Sequence, residues 1–306
     1  MRLAAIDIGS NAARLLISEV RISNPDKPEF NKLSLVRVPL RLGFDVFETG
    51  SISEEKIEMF IKTIKAYKFL LDVYEVKDFK ACATSAMRDA TNAKEIIERI
   101  EAETGITITV ISGNDEASFI YDNHIAENMN DEDSYLYVDV GGGSTELTYF
   151  SDGKLIFKES FNIGTIRLLK NQVSEKEWDE MKDFIKKNTT GYHHVTAIGS
   201  GGNINKVFSL SKRKEGKPLS LQLLRDYYKE FSSISLEQRI SMYRLREDRA
   251  DVLVPALLIF VNVMRWADAD EIYVPKIGLA DGLIQSLYNE ITKQPGQPSK
   301  PIYVSK

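Results

Sequence analysis

Apolar residues fall in short runs along most of the chain, and their spacing alternates between the periods of strands and helices. Residues 2–9, 14–22 and 33–42 are rich in Leu, Ile and Val and read as strands, with the turn-forming loop SNPDKPEFN before the third. Over 53–74 apolar residues recur at helical spacing behind Ser53, which can cap a helix. The strand FKACATSA, the helix TNAKEIIERIEAET, the strand ITITVIS at 106–112 and a helix over 114–129 complete a first half. The order then begins again. YLYVDVG, STELTYFSD and KLIFKESFN read as three strands joined by tight turns, followed by a helix at 174–188, the strand HVTAIGSGG and a helix from 203. A charged helical stretch over 211–247 precedes DRADVLVPALLIFVNVMRWAD, read as one mostly buried helix with Pro255 near its start. The strand DEIYVPKIG and the helix LADGLIQSLYNEI close the pattern.

This repetition predicts an α/β fold built from two duplicated domains, 1–126 and 127–292, with a loose Pro-rich tail at 293–306. The join falls near 124–134, where the chain turns acidic and polar. The composition, 43% hydrophobic and 28% charged over 306 residues, is that of a soluble globular protein. A net charge of −5 argues against a grip on duplex nucleic acid, while a small anionic ligand needs only local cations. One cysteine, Cys82, sits in an apolar run and reads as a buried structural thiol. The run at 252–264 is too short to span a bilayer and no signal peptide is visible, so a cytoplasmic protein without a membrane partner is expected.

Two turns carry the candidate chemistry. LAAIDIGSN ends an apolar strand on Asp7 and follows it with Gly9, Ser10 and Asn11; YLYVDVGGGSTE ends one on Asp139 and follows it with Gly141, Gly142, Gly143, Ser144 and Thr145. A turn of this kind exposes a row of backbone N–H groups that suits phosphate oxygens, with the hydroxyls and the Asn amide as added donors. A single GSN reads equally as an ordinary hairpin turn; a second copy with a carboxylate at the same offset favours a pair of phosphate cradles. Asp7 and Asp139 end buried strands, where an unpaired charge is costly, and a divalent cation beside a phosphate would offset that cost. Glu146, seven residues past Asp139 on the outgoing strand, brings a second carboxylate toward the same ion. A third turn, AIGSGGNINKV, places Gly201 before a helix start, a further anion site.

In order, AIDIGSN, ATSAMRDA, ISGNDEA, DVGGGSTEL, NIGTIRL, IGSGGNI and DRADVLVPALLI resemble the exopolyphosphatase/guanosine pentaphosphate phosphatase (Ppx/GppA) family, over about residues 2–290. That family lies within the actin, sugar-kinase and heat-shock-chaperone superfamily. The resemblance implies two ribonuclease-H-like domains, each a mixed five-stranded sheet flanked by helices, with the active site in the cleft between them. It implies Glu116 of SGNDEA as general base, Arg88 of ATSAMR as a phosphate clamp, and Asp139 and Glu146 as carboxylates for Mg²⁺ or another divalent ion such as Mn²⁺. The substrate it implies is inorganic polyphosphate or guanosine pentaphosphate, and it admits a homodimer. Two departures stand out: Ala12 and Ala13 follow GSN where a hydroxyl residue is common, and PKIGLADGL lacks an arginine near its end.

Read without the family, Glu116 is an acid at a helix start, and Asp115 beside it the same. His124, His193 and His194 fit no metal spacing, and Trp178 and Trp266 fall on apolar helical faces. The basic stretches 212–214 and Arg239, Arg244, Arg246 and Arg249 read either as solvated faces or as a path for a polyanion. Two other functions share the same turns: an ATP-using kinase or ATPase, and a sensor that binds its anion without turnover.

Overall fold

The structure, a computed structural model, describes residues 1–22, 28–121, 133–191, 195–275 and 277–292. The first half runs β1 (Arg2–Ile8), β2 (Ala13–Arg21), β3 (Glu29–Val38), α1 (Leu42–Thr49), α2 (Glu54–Val73), β4 (Asp78–Ala83), α3 (Ser85–Asp89), α4 (Ala93–Thr104), β5 (Thr109–Val110) and α5 (Gly113–Tyr121). Its sheet has the order β3-β2-β1-β4-β5, with β1 antiparallel to β2 and parallel to β4. The second half runs β6 (Ser134–Val140), β7 (Thr145–Ser151), β8 (Lys154–Phe161), α6 (Thr165–Leu169), α7 (Glu175–Thr189), β9 (Val195–Ser200), α8 (Gly202–Ser211), β10 (Leu219–Ser220), α9 (Leu221–Ser233), α10 (Leu236–Tyr243), α11 (Glu247–Ala250), α12 (Leu253–Trp266), β11 (Glu271–Tyr273) and α13 (Leu279–Thr292). Its sheet, β10-β11-β9-β6-β7-β8, repeats the first arrangement, with β6 antiparallel to β7 and parallel to β9. It holds six strands rather than the expected five. The added β10 is two residues at the edge, where Leu219 pairs opposite Ile272 and buries its side chain in the core.

Several expected elements are shorter or divided. The strand expected over 106–112 is reduced to Thr109–Val110, and that over 270–278 to Glu271–Tyr273. The third strand ends at Val38 and a helix begins at Leu42, after Arg41 enters the left-handed region. The long helix from 248 breaks at Asp251–Val252, so that Pro255 falls in the first turn of α12, where its missing N–H removes no helical hydrogen bond. Ser174 caps α7 with a capping box to Glu177. His124, His193, His194 and the tail over 293–306 lie outside the described residues, as does most of the join at 124–134.

The central strands of the first sheet are covered on both faces. In the first half, α2 and α4 cover one face through Phe60, Ile64, Tyr67 and Ile100. The other face is covered by α13, with Leu283, Ile284 and Leu287 against Leu3, Ala5 and Leu16. The last helix, expected to close the second domain, therefore packs on the first sheet. Cys82 lies in this same cluster, its thiol pushed up to about 11 by burial. In the second half, α7, α8, α9 and α12 build the large core with β6, β7 and β9. Trp178 and Trp266 meet edge to face there, 5.8 Å between ring centres. Helix α5 leaves the first sheet and packs against β7, β8 and α13. No helix among the described residues is long and apolar enough to cross a membrane.

Candidate active site

The two glycine turns face one another at the seam between the halves. The β1–β2 hairpin aligns Asp7 with Arg14, and the β6–β7 hairpin aligns Asp139 with Glu146. Directly opposed residues of an antiparallel pair put their side chains on the same face, so each hairpin presents two charged groups together. In the first, Arg14 Nη1 donates to Asp7 Oδ2 at 2.6 Å, and burial of Asp7 is offset within the protein. In the second, both groups are acids, Glu146 buried and Asp139 half-buried.

Helix α5 adds a third acid to that second pair. Its first residue, Gly113, passes against Ser160 of β8, so the helix enters beside β7 and carries Glu116 toward Glu146. Carboxylate oxygens of Glu116, Asp139 and Glu146 all lie within 4.8 Å of one another. Burial holds all three carboxyls above the usual carboxylate range. For Glu146, burial and then the Asp139 charge push it to about 7; for Glu116, burial is joined by Glu146 and then Asp139. Glu146 Oε1 accepts from Ser160 Oγ at 2.9 Å, while Glu146 Oε2 and Asp139 Oδ1 are buried with no hydrogen-bond partner. Two orphaned carboxylate oxygens beside a third carboxylate are a donor set suited to a hard divalent cation, so the residues fit Mg²⁺ or Mn²⁺. Asp7, expected among the metal carboxylates, lies outside this group of three and pairs with Arg14 at the cleft wall.

A cleft of about 70 Å³ opens above Glu116 and Asp139. Of the residues expected at the site, Asp7, Gly9, Ser10, Asn11, Glu116, Asp139, Gly141, Gly142, Ser144 and Gly201 line it. Asn11 donates to the Asp248 carbonyl at 3.1 Å, and its own side-chain oxygen is buried without a partner. Gly201 has φ +94°, a conformation that favours glycine, and turns the chain into α8. Thr145, expected to offer its hydroxyl to phosphate, is fully buried and donates to Ile163 O at 2.5 Å instead. Gly143 faces the seam rather than the cleft: a Cβ there would stand 2.5 Å from Ser85 Oγ. Ser10 Oγ and Ser85 Oγ share a hydrogen bond of 2.8 Å in the same region. Arg88 lies behind Glu116, its Nη1 2.8 Å from Ile111 O and 3.3 Å from Glu116 Oε2.

Three arginines of the cleft wall went unnoticed or unchosen in the sequence. Arg14 and Arg37 are neighbours in the β2–β3 register, and Arg249 joins them from α11. Arg37 pairs with Asp248 across the seam, and Arg41 with Asp251 at 2.6 Å. Burial, then Arg37 and Arg14, lower Arg249 to about 9, which an anion in the cleft would reverse. The pairing of a carboxylate ending one strand with a basic residue opening the next was the available signal for Arg14. Arg249 was already in a basic stretch, while Lys212, Arg213 and Lys214 are solvated and Arg239 bonds carbonyls of its own neighbourhood.

Two repeated α/β halves with opposed glycine turns and an acidic cleft define the two-domain actin-like class of phosphate-handling proteins. The sequence model of the Ppx/GppA phosphatase family matches residues 22–290, and the chain belongs to that family. Among solved structures it is similar to the Ppx/GppA family member of Aquifex aeolicus, at 28% identity and TM-score 0.75, covering 96% of this chain and 99% of that one. An exopolyphosphatase from Cytophaga hutchinsonii shares the fold at 24% identity and TM-score 0.77, over 95% and 98% of the two chains. The bifunctional 3-dehydroquinate synthase/phosphatase of Fusobacterium nucleatum is 33% identical over 69% of this chain, which spans only 34% of that relative. Exopolyphosphatase 1 of Mycobacterium tuberculosis is 23% identical, over 93% of this chain and 87% of its own length.

Proposed function

We propose that the chain is a divalent-cation-dependent phosphohydrolase that releases terminal orthophosphate from inorganic polyphosphate, guanosine pentaphosphate, or both. The observation that carries this reading is the meeting of Glu116 with Asp139 and Glu146 directly beneath two opposed glycine turns. Phosphoryl transfer is catalysed mainly by positioning and charge stabilisation, and the cleft offers both. The amide-lined turns around Gly9–Asn11 and Gly141–Ser144 seat the terminal phosphoryl group, with Gly201 and the start of α8 receiving the next anion along the chain. Asp139 and Glu146 would hold Mg²⁺ or Mn²⁺, which when bound supplies positive charge to the phosphate oxygens and offsets the crowding of acids. Glu116 aligns the attacking water and takes its proton, a task its raised proton affinity favours. Arg88, behind Glu116 and outside the cleft lining, keeps that carboxyl oriented, and its forked guanidinium would reach the terminal oxygens only on leaving Ile111 O. The leaving group is a phosphate end, a weak base, so one carboxylate suffices.

Release of phosphate from polyphosphate and from guanosine pentaphosphate, each assayed with Mg²⁺ and with a chelator, tests the proposal. Phosphate release without ATP or an acceptor, lost on chelation, is the expected result. A requirement for ATP would establish a kinase instead. Tight polyanion binding with no release, unaffected by Glu116→Gln, would establish a sensor.

A further inference from the structure

The motif NIGTIRL takes no part in the chemistry described above, yet its helix holds the glycine turn from behind. Three successive carbonyls of the turn are all taken by α6 and its entry. Thr165 N donates to Gly141 O at 3.0 Å, Ile166 N to Gly142 O at 2.8 Å, and Arg167 Nε to Gly143 O at 2.7 Å. A planar peptide whose C=O is fixed on one side presents the next N–H on the other. These bonds therefore direct the amides of Gly142, Gly143 and Ser144, and the side-chain bond from Arg167 directs that of Ser144, which lines the cleft. Two of the three bonds come from the backbone and do not depend on a side chain, proline aside. The third depends on Arg167.

The same guanidinium reaches into the other half of the protein. It pairs with Asp89 of α3 and lies 4.2 Å from the ring centre of Phe47 in α1. Asp89 directly follows Arg88, so this pair also ties down the helix that carries the clamp. Lys170, one turn on in the chain, pairs with Glu48 across the same seam. Arg167 is 15% exposed and thus largely enclosed by these partners. If the halves part, it loses Asp89 and Phe47 together, regains rotamer freedom, and releases the Gly143 carbonyl of a three-glycine segment that turns easily.

We propose that Arg167 is a positioning residue that couples the closing of the two halves to the seating of the turn at 141–144 and, through Asp89, to the placement of Arg88. It touches neither substrate nor the attacking water. The kinetic part of its test rests on the phosphohydrolase reading; a second readout does not.

Arg167→Met keeps an apolar stem for Phe47 and removes both polar links. With polyphosphate and Mg²⁺ its kcat is expected to fall about 30-fold while KM changes by less than about threefold, since a misplaced donor costs rate more than binding. Arg167→Lys keeps the charge but cannot serve Gly143 and Asp89 at once, and is expected to restore no more than about threefold. Asp89→Asn alone should cost about fivefold, and adding it to Arg167→Met should cost nothing more, because both act through one link. A kcat within threefold of wild type for folded Arg167→Met, full rescue by Arg167→Lys, or losses that multiply in the double variant would each overturn the proposal. If Arg167→Met does not fold, Arg167→Lys and Asp89→Asn decide by the same criteria. Small-angle scattering without substrate is the independent readout: Arg167→Lys and Arg167→Met should show a larger radius of gyration than wild type. Equal radii overturn the coupling even if wild type releases no phosphate, a result that would separately dismiss the proposed activity.

Discussion

The two hairpins that open the halves are copies in architecture and opposites in charge. Each brings its first strand to an aspartate, Asp7 buried and Asp139 half-buried, and turns through glycine. Across the first, Asp7 meets Arg14 at 2.6 Å; across the second, Asp139 meets Glu146. One hairpin is balanced by the chain itself, and the other is left two charges in deficit, with Glu116 brought in as a third acid. A duplicated device has thus diverged: the first copy closes on its own ion pair, and the second gathers acids whose oxygens suit a divalent cation. The difference lies in a single cross-strand residue.

Neutralising the second hairpin breaks the comparison most severely. Asp139→Asn combined with Glu146→Gln should lower phosphate release by about 10⁴-fold or more, measured at saturating Mg²⁺, because charge stabilisation at the phosphate is lost. The same double variant should unfold at a higher temperature than wild type in chelator near pH 8. Removing only the proposed base, Glu116→Gln, should cost about 10³-fold in kcat while polyphosphate binding, read by titration calorimetry, persists.

The first hairpin should respond in stability rather than chemistry. Asp7→Asn strands Arg14 in a half-buried site and should cost about 3 kcal/mol in denaturant unfolding, as removal of one partner from a buried pair does. Retained stability in that variant would mean that the wall is not held by this pair.

The pH dependence sharpens the contrast. Glu146 titrates at about 7 when folded against 4.5 ordinarily, so the folded state holds more protons than the unfolded one between those values. Stability of the chelated protein therefore falls as pH rises through that window, and Glu116 and Asp139 act in the same direction. Added Mg²⁺ should abolish the fall; thermal unfolding from pH 4 to 8 with and without the ion checks it. The smallest effect is expected from Ser160→Ala, which removes one hydrogen bond to Glu146 Oε1 and should weaken Mg²⁺ binding about tenfold.

What could be read beforehand was whatever the chain encodes locally. The alternation of strands, the turns and the seven-residue offset from Asp139 to Glu146 all depend on neighbours in sequence, and the register opposes those two acids as that offset implied. Contacts across the seam left weaker traces. Thr145 looks like a donor until Ile163 O is seen beside it. Asp7 reads as a metal carboxylate from sequence, with no hint that Arg14 faces it across the register. Helices α1, α3 and α6, at five to eight residues, are too short to show a period, and Arg167 was quoted only as part of a motif. The apolar stripe of α13 fits either sheet equally well on paper; only the face left bare by α2 and α4 determines where it goes.

That placement has a bearing on how the molecule comes into being. The sheltering lid of the first sheet is encoded after the entire second half, so on a growing chain Leu3, Ala5 and Leu16 must wait for Leu283 and Ile284 to emerge. Until then the apolar face formed by Leu3, Ala5 and Leu16 has no cover from the last helix, and completion of the first sheet's packing waits on the last residues of the second half.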